Sequence, residues 1–377
     1  NALYKQLSRH KAHHGCAVVM EVKTGDIKAI ANLEIGSDGQ YHETYNYAVG
    51  ESTEPGSTFK LMSMIVALED GVIDLHDTIN TGDGTVRYYD KVIRDHEEEG
   101  LGKITAREVF EHSSNVGTAK IINENYKDNP RRYIDRLYSM QINKPLDLQI
   151  KGEGKPVIRG PGDKLWSGIS LPMMSHGYEV QMTPLQILTF YNAVANNGKM
   201  VKPRFVSEVR DGNRTVKSFD SEVITNAICS KSTIRKAQSL LEGVVENGTA
   251  MNLKNSNYKI AGKTGTAQIA NAKHGYRSGS RISYQASFVG YFPADDPLYS
   301  CIVVVNAPSN WVYYGNVVSG PVFKEIADKV YASSFYRDLH ALNPQGEEKV
   351  SLREAASEVK KGDLSQSEGV MPNVVGM

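Results

Sequence analysis

Ser57 and Lys60 stand three residues apart directly behind Glu54-Pro55-Gly56, within an apolar series of Phe59, Leu61, Met62, Met64, Ile65, Ala67 and Leu68. Pro and Gly break what precedes, and the apolar spacing predicts a helix with one strongly apolar side. Positions i and i+3 share a helix face, so the two side chains can touch. A serine hydroxyl is a poor nucleophile until a base takes its proton, and a buried lysine with a lowered pKa can be that base. The partly positive helix start also favours negative charge developing nearby. Alone the pattern is weak. Ser8/Lys11, Ser256/Lys259 and Ser357/Lys360 repeat it, without the Pro-Gly lead-in or the apolar helix behind.

Two further motifs follow, Ser113-Ser114-Asn115 and Lys263-Thr264-Gly265-Thr266, so S-x-x-K, S-x-N and K-T-G occur in that order. On a non-helical turn Ser113 and Asn115 can face one cleft. Ser113 suits the relay of a proton to a departing amine. The Asn115 amide, donor and acceptor at once, suits holding both Lys60 and a substrate carbonyl. The plainer reading makes Ser113 only the N-cap of the next helix. On a strand, alternation sets Lys263 on one face and Thr264 and Thr266 on the other. The two hydroxyls can then bind a substrate carboxylate while Lys263 supplies positive potential from behind. Gly265, without a Cβ, leaves room for a ligand. As a base Lys60 must be largely neutral, which burial and a second cation such as Lys263 favour. The alternative keeps Lys60 charged, merely orienting Ser57.

The elements that must position these groups are legible as periodicity. Residues 4–14 predict a helix, and residues 15–22 and 27–33 predict two strands joined at Lys23-Thr24-Gly25-Asp26. That turn carries a second Lys-Thr-Gly, but it precedes the nucleophile and ends a hairpin. Helices are predicted over 105–112, 115–125, 129–138, 184–197 and 233–247, with Pro184 suited to a first helical position. Strand-like runs cover Tyr258 to Gln268, Ile282 to Phe292 and Tyr299 to Ala307, and an amphipathic helix covers 320–333. Strands at both ends with helices between predict an α+β fold, one antiparallel sheet flanked by helices. Residues 270–281 read as a Gly- and Ser-rich rim beside the K-T-G strand.

Composition excludes several classes. Across 377 residues, Lys+Arg and Asp+Glu number 43 each, so charge gives no case for nucleic acid or an anionic membrane surface. No apolar run approaches the roughly 18 residues of a span, and Asn1 to His14 is too polar for a signal peptide. Three cysteines cannot all pair. Cys16 and Cys301 read as small buried hydrophobes. No Cys/His spacing matches a zinc site, and the chemistry calls for no metal or cofactor. His10, His13 and His14 read as a basic, solvated helix end, and Asp95 to Glu99 as a solvated loop.

With its three motifs in this order, the chain resembles the penicillin-recognising serine transferases and hydrolases. Within them it looks most like a class B penicillin-binding protein, a peptidoglycan D,D-transpeptidase. Residues 15–32, Tyr47-Ala48-Val49, Met182 to Gln186, Ala195 to Gly198, Glu246 to Ala250 and Ala286 to Pro293 also resemble family landmarks in family order. The resemblance covers roughly residues 1–335. It implies a five-stranded antiparallel sheet, in which the first two strands join the last three, plus an all-helical subdomain with the site between them. It implies Ser57 as nucleophile and the Ser57 and Thr266 backbone N–H groups as an oxyanion hole, roughly 3–4 kcal/mol per donor removed.

The resemblance also implies substrates and partners. These are peptidoglycan stem peptides on lipid II-derived glycan strands, cut at D-Ala-D-Ala with release of D-Ala, and β-lactams that acylate the serine. A separate glycosyltransferase and divisome proteins would be partners. The location would be the extracytoplasmic, periplasmic face of the bacterial inner membrane, through an N-terminal anchor not present in this sequence. Residues 1–337 would be the transpeptidase domain and 338–368 a linker. Residues 369–377 resemble the start of a truncated PASTA domain, or an ordinary tail. Readings of the same fold that stay open are a β-lactamase, a D,D-carboxypeptidase and a non-catalytic β-lactam sensor. The class D β-lactamases resemble S-x-V rather than S-x-N at the second motif.

Overall fold

The first strand of the chain is the middle of its sheet. The computed structural model describes residues 1–97, 99–269, 283–309 and 312–342, and the chain divides into units 1–327 and 328–377. In the first unit the helix Ala2–His10 (α1) leads into His14–Glu21 (β1), which is buried from His14 to Met20. Such a continuous apolar strand belongs inside a sheet covered on both faces. β1 pairs antiparallel with Ile27–Ile35 (β2) on one side, and β2 carries the two-residue Tyr41–His42 (β3). From the far end of the sequence come Ala261–Gln268 (β4), Tyr284–Phe292 (β5) and Tyr299–Asn306 (β6). The order is β4-β5-β6-β1-β2-β3, so β4 with its Lys-Thr-Gly lies at an edge.

Helices fill the sequence between. The helix Lys60–Glu69 (α2) is buried from Lys60 to Leu68. It packs among Asn115–Tyr126 (α3), Pro130–Ser139 (α4) and Lys231–Glu246 (α6). Just past its end the Asp70 carboxylate gathers three partners: Arg136 Nε at 2.8 Å, Tyr126 OH at 3.0 Å and Arg132 Nε at 3.0 Å. One buried anion thus ties α2 to α3 and α4. The helix Pro184–Ala195 (α5) is buried all round, as a helix wedged against a sheet must be. Its Asn192 donates Nδ2–H to Val22 O at 3.0 Å and accepts from Ser300 Oγ at 2.7 Å. On the opposite sheet face Phe288 and Phe292 meet Phe323 of Gly320–Leu342 (α7), with ring centroids 4.7 and 5.6 Å apart.

Several expectations shift. α1 stops at His10, not residue 14, because Lys11 takes the left-handed conformation (φ 45) and His14 joins the sheet. Of the three histidines only His13 is exposed, so this is not the solvated helix end expected. His10 and His14 are buried, and His14 stacks on Tyr47 at 3.9 Å with Nε2 2.9 Å from Glu51. Among the described residues no His/Cys/Asp/Glu group could hold a metal ion. The sheet has a sixth, two-residue strand. α7 runs on past 333 to Leu342, since residues 334–342 contain neither Gly nor Pro to stop it. Cys16 and Cys301 are free and buried. No helix among the described residues is long and apolar enough to cross a membrane. The 270–281 rim lies outside the described residues, as do the linker beyond residue 342 and the PASTA-like ending.

Asn192→Ala should destabilise the fold by about 2–4 kcal/mol, since it strands a buried hydroxyl and a buried carbonyl together. Urea denaturation read by fluorescence checks this. An unchanged midpoint would mean that those groups find other partners.

Candidate active site

Ser57 sits on a tight turn, not inside the predicted α-helix. Residues Gly56–Phe59 form a 3-10 turn that passes directly into α2 at Lys60. In 3-10 geometry residues i and i+3 eclipse, which sets Ser57 and Lys60 on one side of the turn. The turn is pinned from several sides. Gly56 N–H donates to Gly177 O at 3.1 Å, Thr58 Oγ1 to Pro55 O at 2.9 Å, and the buried Tyr191 OH to Thr58 O at 2.8 Å. A Cβ on Gly177, whose φ is +90, would lie 2.1 Å from Gly56 O. No larger residue fits. Ser57 itself is half-buried, and its Oγ makes no hydrogen bond among the described residues.

Lys60 is fully buried at the start of α2. Its Nζ donates to the Ser113 backbone carbonyl in a very short hydrogen bond and to Ser113 Oγ at 3.1 Å. Lys263, also fully buried, donates from β4 to the same Ser113 Oγ at 2.8 Å and to Thr264 O at 3.1 Å. Three motifs therefore converge on one hydroxyl. Burial pulls the Lys60 pKa down to about 7, against the pull of the Asp95 and Glu97 carboxylates, which raise it. Burial, with the charge of Lys60, holds Lys263 well below its ordinary value. A hydroxyl accepts two hydrogen bonds and donates one. Ser113 can thus pass a proton between the two amines, and their repulsion favours a pair that keeps fewer than two protons.

The Ser113–Asn115 turn differs from its sequence reading in two ways. Capping falls to Ser114, whose Oγ accepts from Gly117 N–H at 2.8 Å. That leaves Ser113, at φ 60, with its side chain turned to the lysines. Asn115 does not hold Lys60: its amide donates to Arg94 O at 2.8 Å, because the helix start turns it toward the hairpin of Thr85–Tyr88 and Lys91–Arg94. Nor is the whole acidic run solvated. Asp95 accepts from Ser114 Oγ at 2.7 Å and from Val116 N–H at 2.9 Å. Spacing of charge in sequence carried no sign of this partnership, which a hairpin creates.

On β4 the alternation holds but its roles change. Lys263 reaches across to the helical side, so its charge lies in the cleft and not behind it. The Thr264 hydroxyl shares a 2.8 Å hydrogen bond with Thr249 Oγ1 and is largely buried. Thr266 is half-buried. Gly265 accommodates neighbours in the protein: a Cβ there would lie 2.2 Å from Ser287 Oγ and 2.9 Å from Thr58 Cγ2. Its missing side chain lets the turn that bears Ser57 press on the strand. Sequence reasoning also missed His176, buried beside Gly177, whose pKa falls to about 3 through burial and then the Lys60 charge.

A base at Lys60 must be neutral, so the rate of serine acylation should rise with pH through about 7 and level off above it. Below that pH the amine is protonated and cannot take the Ser57 proton. Adduct formation with a fluorescent penicillin, timed from pH 5.5 to 9, checks this. A flat profile would leave Lys60 an orienting charge.

Known proteins resemble this chain over nearly the same span. The sequence profile for the penicillin binding protein transpeptidase domain matches residues 15–328. A probable peptidoglycan D,D-transpeptidase, PbpC of Pseudomonas aeruginosa, is 28% identical over 333 residues, 86% of this chain and 55% of that protein. The peptidoglycan D,D-transpeptidase FtsI of Escherichia coli is 28% identical over 337 residues, 86% of this chain and 53% of its own length. The chain thus spans about half the length of these curated relatives. Among solved structures, penicillin binding protein 3 of Mycobacterium tuberculosis, in complex with aztreonam, superposes with a TM-score of 0.75 at 26% identity, covering 88% of this chain and 75% of that one. With a profile match over most of its length and its three motifs meeting at Ser113, the chain belongs to the penicillin binding protein transpeptidase domain family.

Proposed function

We propose that this protein is a peptidoglycan D,D-transpeptidase of the division type, which cross-links stem peptides through an acyl-enzyme on Ser57. The observation that carries the reading is the meeting of Lys60 and Lys263 at Ser113 Oγ, across sequence separations of 53 and 150 residues. In this reading neutral Lys60 takes the Ser57 proton as Oγ attacks the carbonyl of D-Ala-D-Ala. The Ser57 and Thr266 N–H groups stabilise the oxyanion, the term worth most in acyl transfer. Ser113 hands its proton to the departing D-alanine amine and is resupplied through the lysines, so the peptide bond breaks as the ester forms. The amine of a second stem peptide then reverses these steps.

The position of β4 supports substrate binding along a free sheet edge, where an extended peptide adds main-chain hydrogen bonds. Thr264 and Thr266 would meet the substrate carboxylate, and the second amide hydrogen of Asn115 a substrate carbonyl. Gly265 would serve by keeping the turn against the strand. β-Lactams would acylate the same serine. The finer reading adds a separate glycosyltransferase and divisome proteins as partners, the periplasmic face of the inner membrane as location, and the domain division 1–337, 338–368 and 369–377.

Penicillin should add its mass once, on a peptide containing Ser57, and the adduct should persist for minutes to hours or longer after free drug is removed. No residue is identified to activate water against the ester, and a transpeptidase needs water excluded. Mass spectrometry with peptide mapping reads both. An adduct on another serine would end the reading, and clearance within seconds would point to a β-lactamase. Lys60→Arg should fold yet acylate slower by orders of magnitude, because arginine effectively never releases its proton. A near-parental rate would remove Lys60 as the base.

A further inference from the structure

The three residues Ser114, Asn115 and Val116 are held by two consecutive residues outside the three motifs. Arg94 O accepts from the Asn115 amide at 2.8 Å. Asp95 Oδ2 accepts from Ser114 Oγ at 2.7 Å, and Oδ1 from Val116 N–H at 2.9 Å. The clamp has its own anchor, since Asp95 N–H donates to Gly84 O at 2.8 Å and Arg94 pairs with Thr85 across the hairpin. A helix cap does not need this. Ser114 Oγ already satisfies Gly117 N–H, and the Asp95 carboxylate adds a charged acceptor at the positive end of α3.

The residue that directly precedes the clamped three is strained. Ser113 lies at φ 60, a region costing a non-glycine residue about 1–2 kcal/mol and kept only where the surroundings fix it. Its Oγ is the shared acceptor of Lys60 at 3.1 Å and Lys263 at 2.8 Å. We propose that Asp95 is a positioning residue, which fixes the turn from the hairpin side and so keeps Ser113 Oγ where the two lysines meet. The inference rests on the acylation reading given above.

The titratable groups that bear on Lys60 come from three elements: Asp95 and Glu97 from the hairpin end, Lys263 from β4 and His176 from the segment before α5. Asp95 and Glu97 raise the Lys60 pKa. Loss of either therefore lowers it, and the rising limb of the acylation profile moves to lower pH. Clamp and charge separate in the variants. Asp95→Asn loses the charge and the acceptor for Ser114 Oγ–H while keeping one oxygen for Val116 N–H, Asp95→Glu keeps the charge but displaces the carboxylate, and Glu97→Gln changes charge alone.

The test measures penicillin acylation against pH for these variants, with thermal melts to follow folding and Ser57→Ala in parallel. Asp95→Asn should lower the plateau rate about 10- to 100-fold, the loss expected for a hydrogen bond to a charged group, and shift the limb to lower pH. Asp95→Glu should keep the limb in place with a plateau several-fold below the parent. Glu97→Gln should shift the limb with a plateau within about twofold. If Asp95→Asn does not fold, Asp95→Glu carries the test. A parental plateau in either Asp95 variant overturns the proposal. So does a lowered plateau with an unmoved limb and an equally lowered melt in Asp95→Asn, which marks a merely structural role. Penicillin uptake by Ser57→Ala would instead strike the acylation reading beneath it.

Discussion

Two lysine amines stripped of water and aimed at one hydroxyl are the constraint on which the site depends. Each amine loses hydration by burial, and each repels the other's charge. The arrangement persists because Ser113 supplies acceptors: its carbonyl for Lys60, its hydroxyl for both. Burying α2 on every side removes Lys60 from solvent. Placing β4 at the sheet edge carries Lys263 to the same point while leaving main-chain groups open outward. The left-handed Ser113 sets the third corner. Sheet, helices and turn each contribute one group, and none could be assembled from a single element.

Much of this was legible in the sequence, and the exceptions share a physical cause. The order of S-x-x-K, S-x-N and K-T-G picks out Ser57, Lys60, Ser113 and Lys263, of which the structure brings Lys60, Ser113 and Lys263 together, and periodicity locates the long helices and the five long strands. What failed was side-chain direction. Alternation put Lys263 and Thr264 on opposite faces, but it cannot say that a long lysine crosses the cleft while Thr264 turns to Thr249. Asn115 was assigned to Lys60, and the hairpin carbonyl of Arg94 took its amide first. Asp95 belonged to an acidic run that composition reads as solvated, and only a hairpin packed on α3 makes it a partner of Ser114. Gly265, expected to leave room for a ligand, also leaves room for Ser287 and Thr58 of the protein itself. Local pattern fixes which residues exist on a face. Tertiary contacts decide what they touch.

Glycine has a particular part in holding the turn that bears Ser57. Gly56, Gly177 and Gly265 let three backbones approach more closely than any side chain would permit. The turn bearing Ser57 is thereby pressed between the 176–178 segment and β4. A 3-10 turn has poorer hydrogen-bond geometry than an α-helix and is rarely long, so external contacts must hold it. Gly177 O, Pro55 O and the Tyr191 hydroxyl supply them. Preorganisation of this kind spares the reaction the cost of arranging groups at the moment of attack.

The tuning of Lys60 shows how burial and charge are balanced. Desolvation alone would make it a weaker and weaker base, able to stay neutral but reluctant to accept the Ser57 proton. Anions alone would keep it protonated and useless. Burial takes its pKa down while Asp95 and Glu97 hold it up, and the result near 7 leaves a neutral fraction that still binds a proton well. His176 and Lys263 complete the balance from the other side. Burial drives His176 to about 3 and Lys263 well below its usual value, so neither competes as a resident cation. In the proposed reaction, a proton passed from Ser57 to Lys60 would place the new positive charge under the influence of two carboxylates and not of two other cations. The anions that raise the Lys60 pKa in the resting site are those that would stabilise a base there once it had taken a proton.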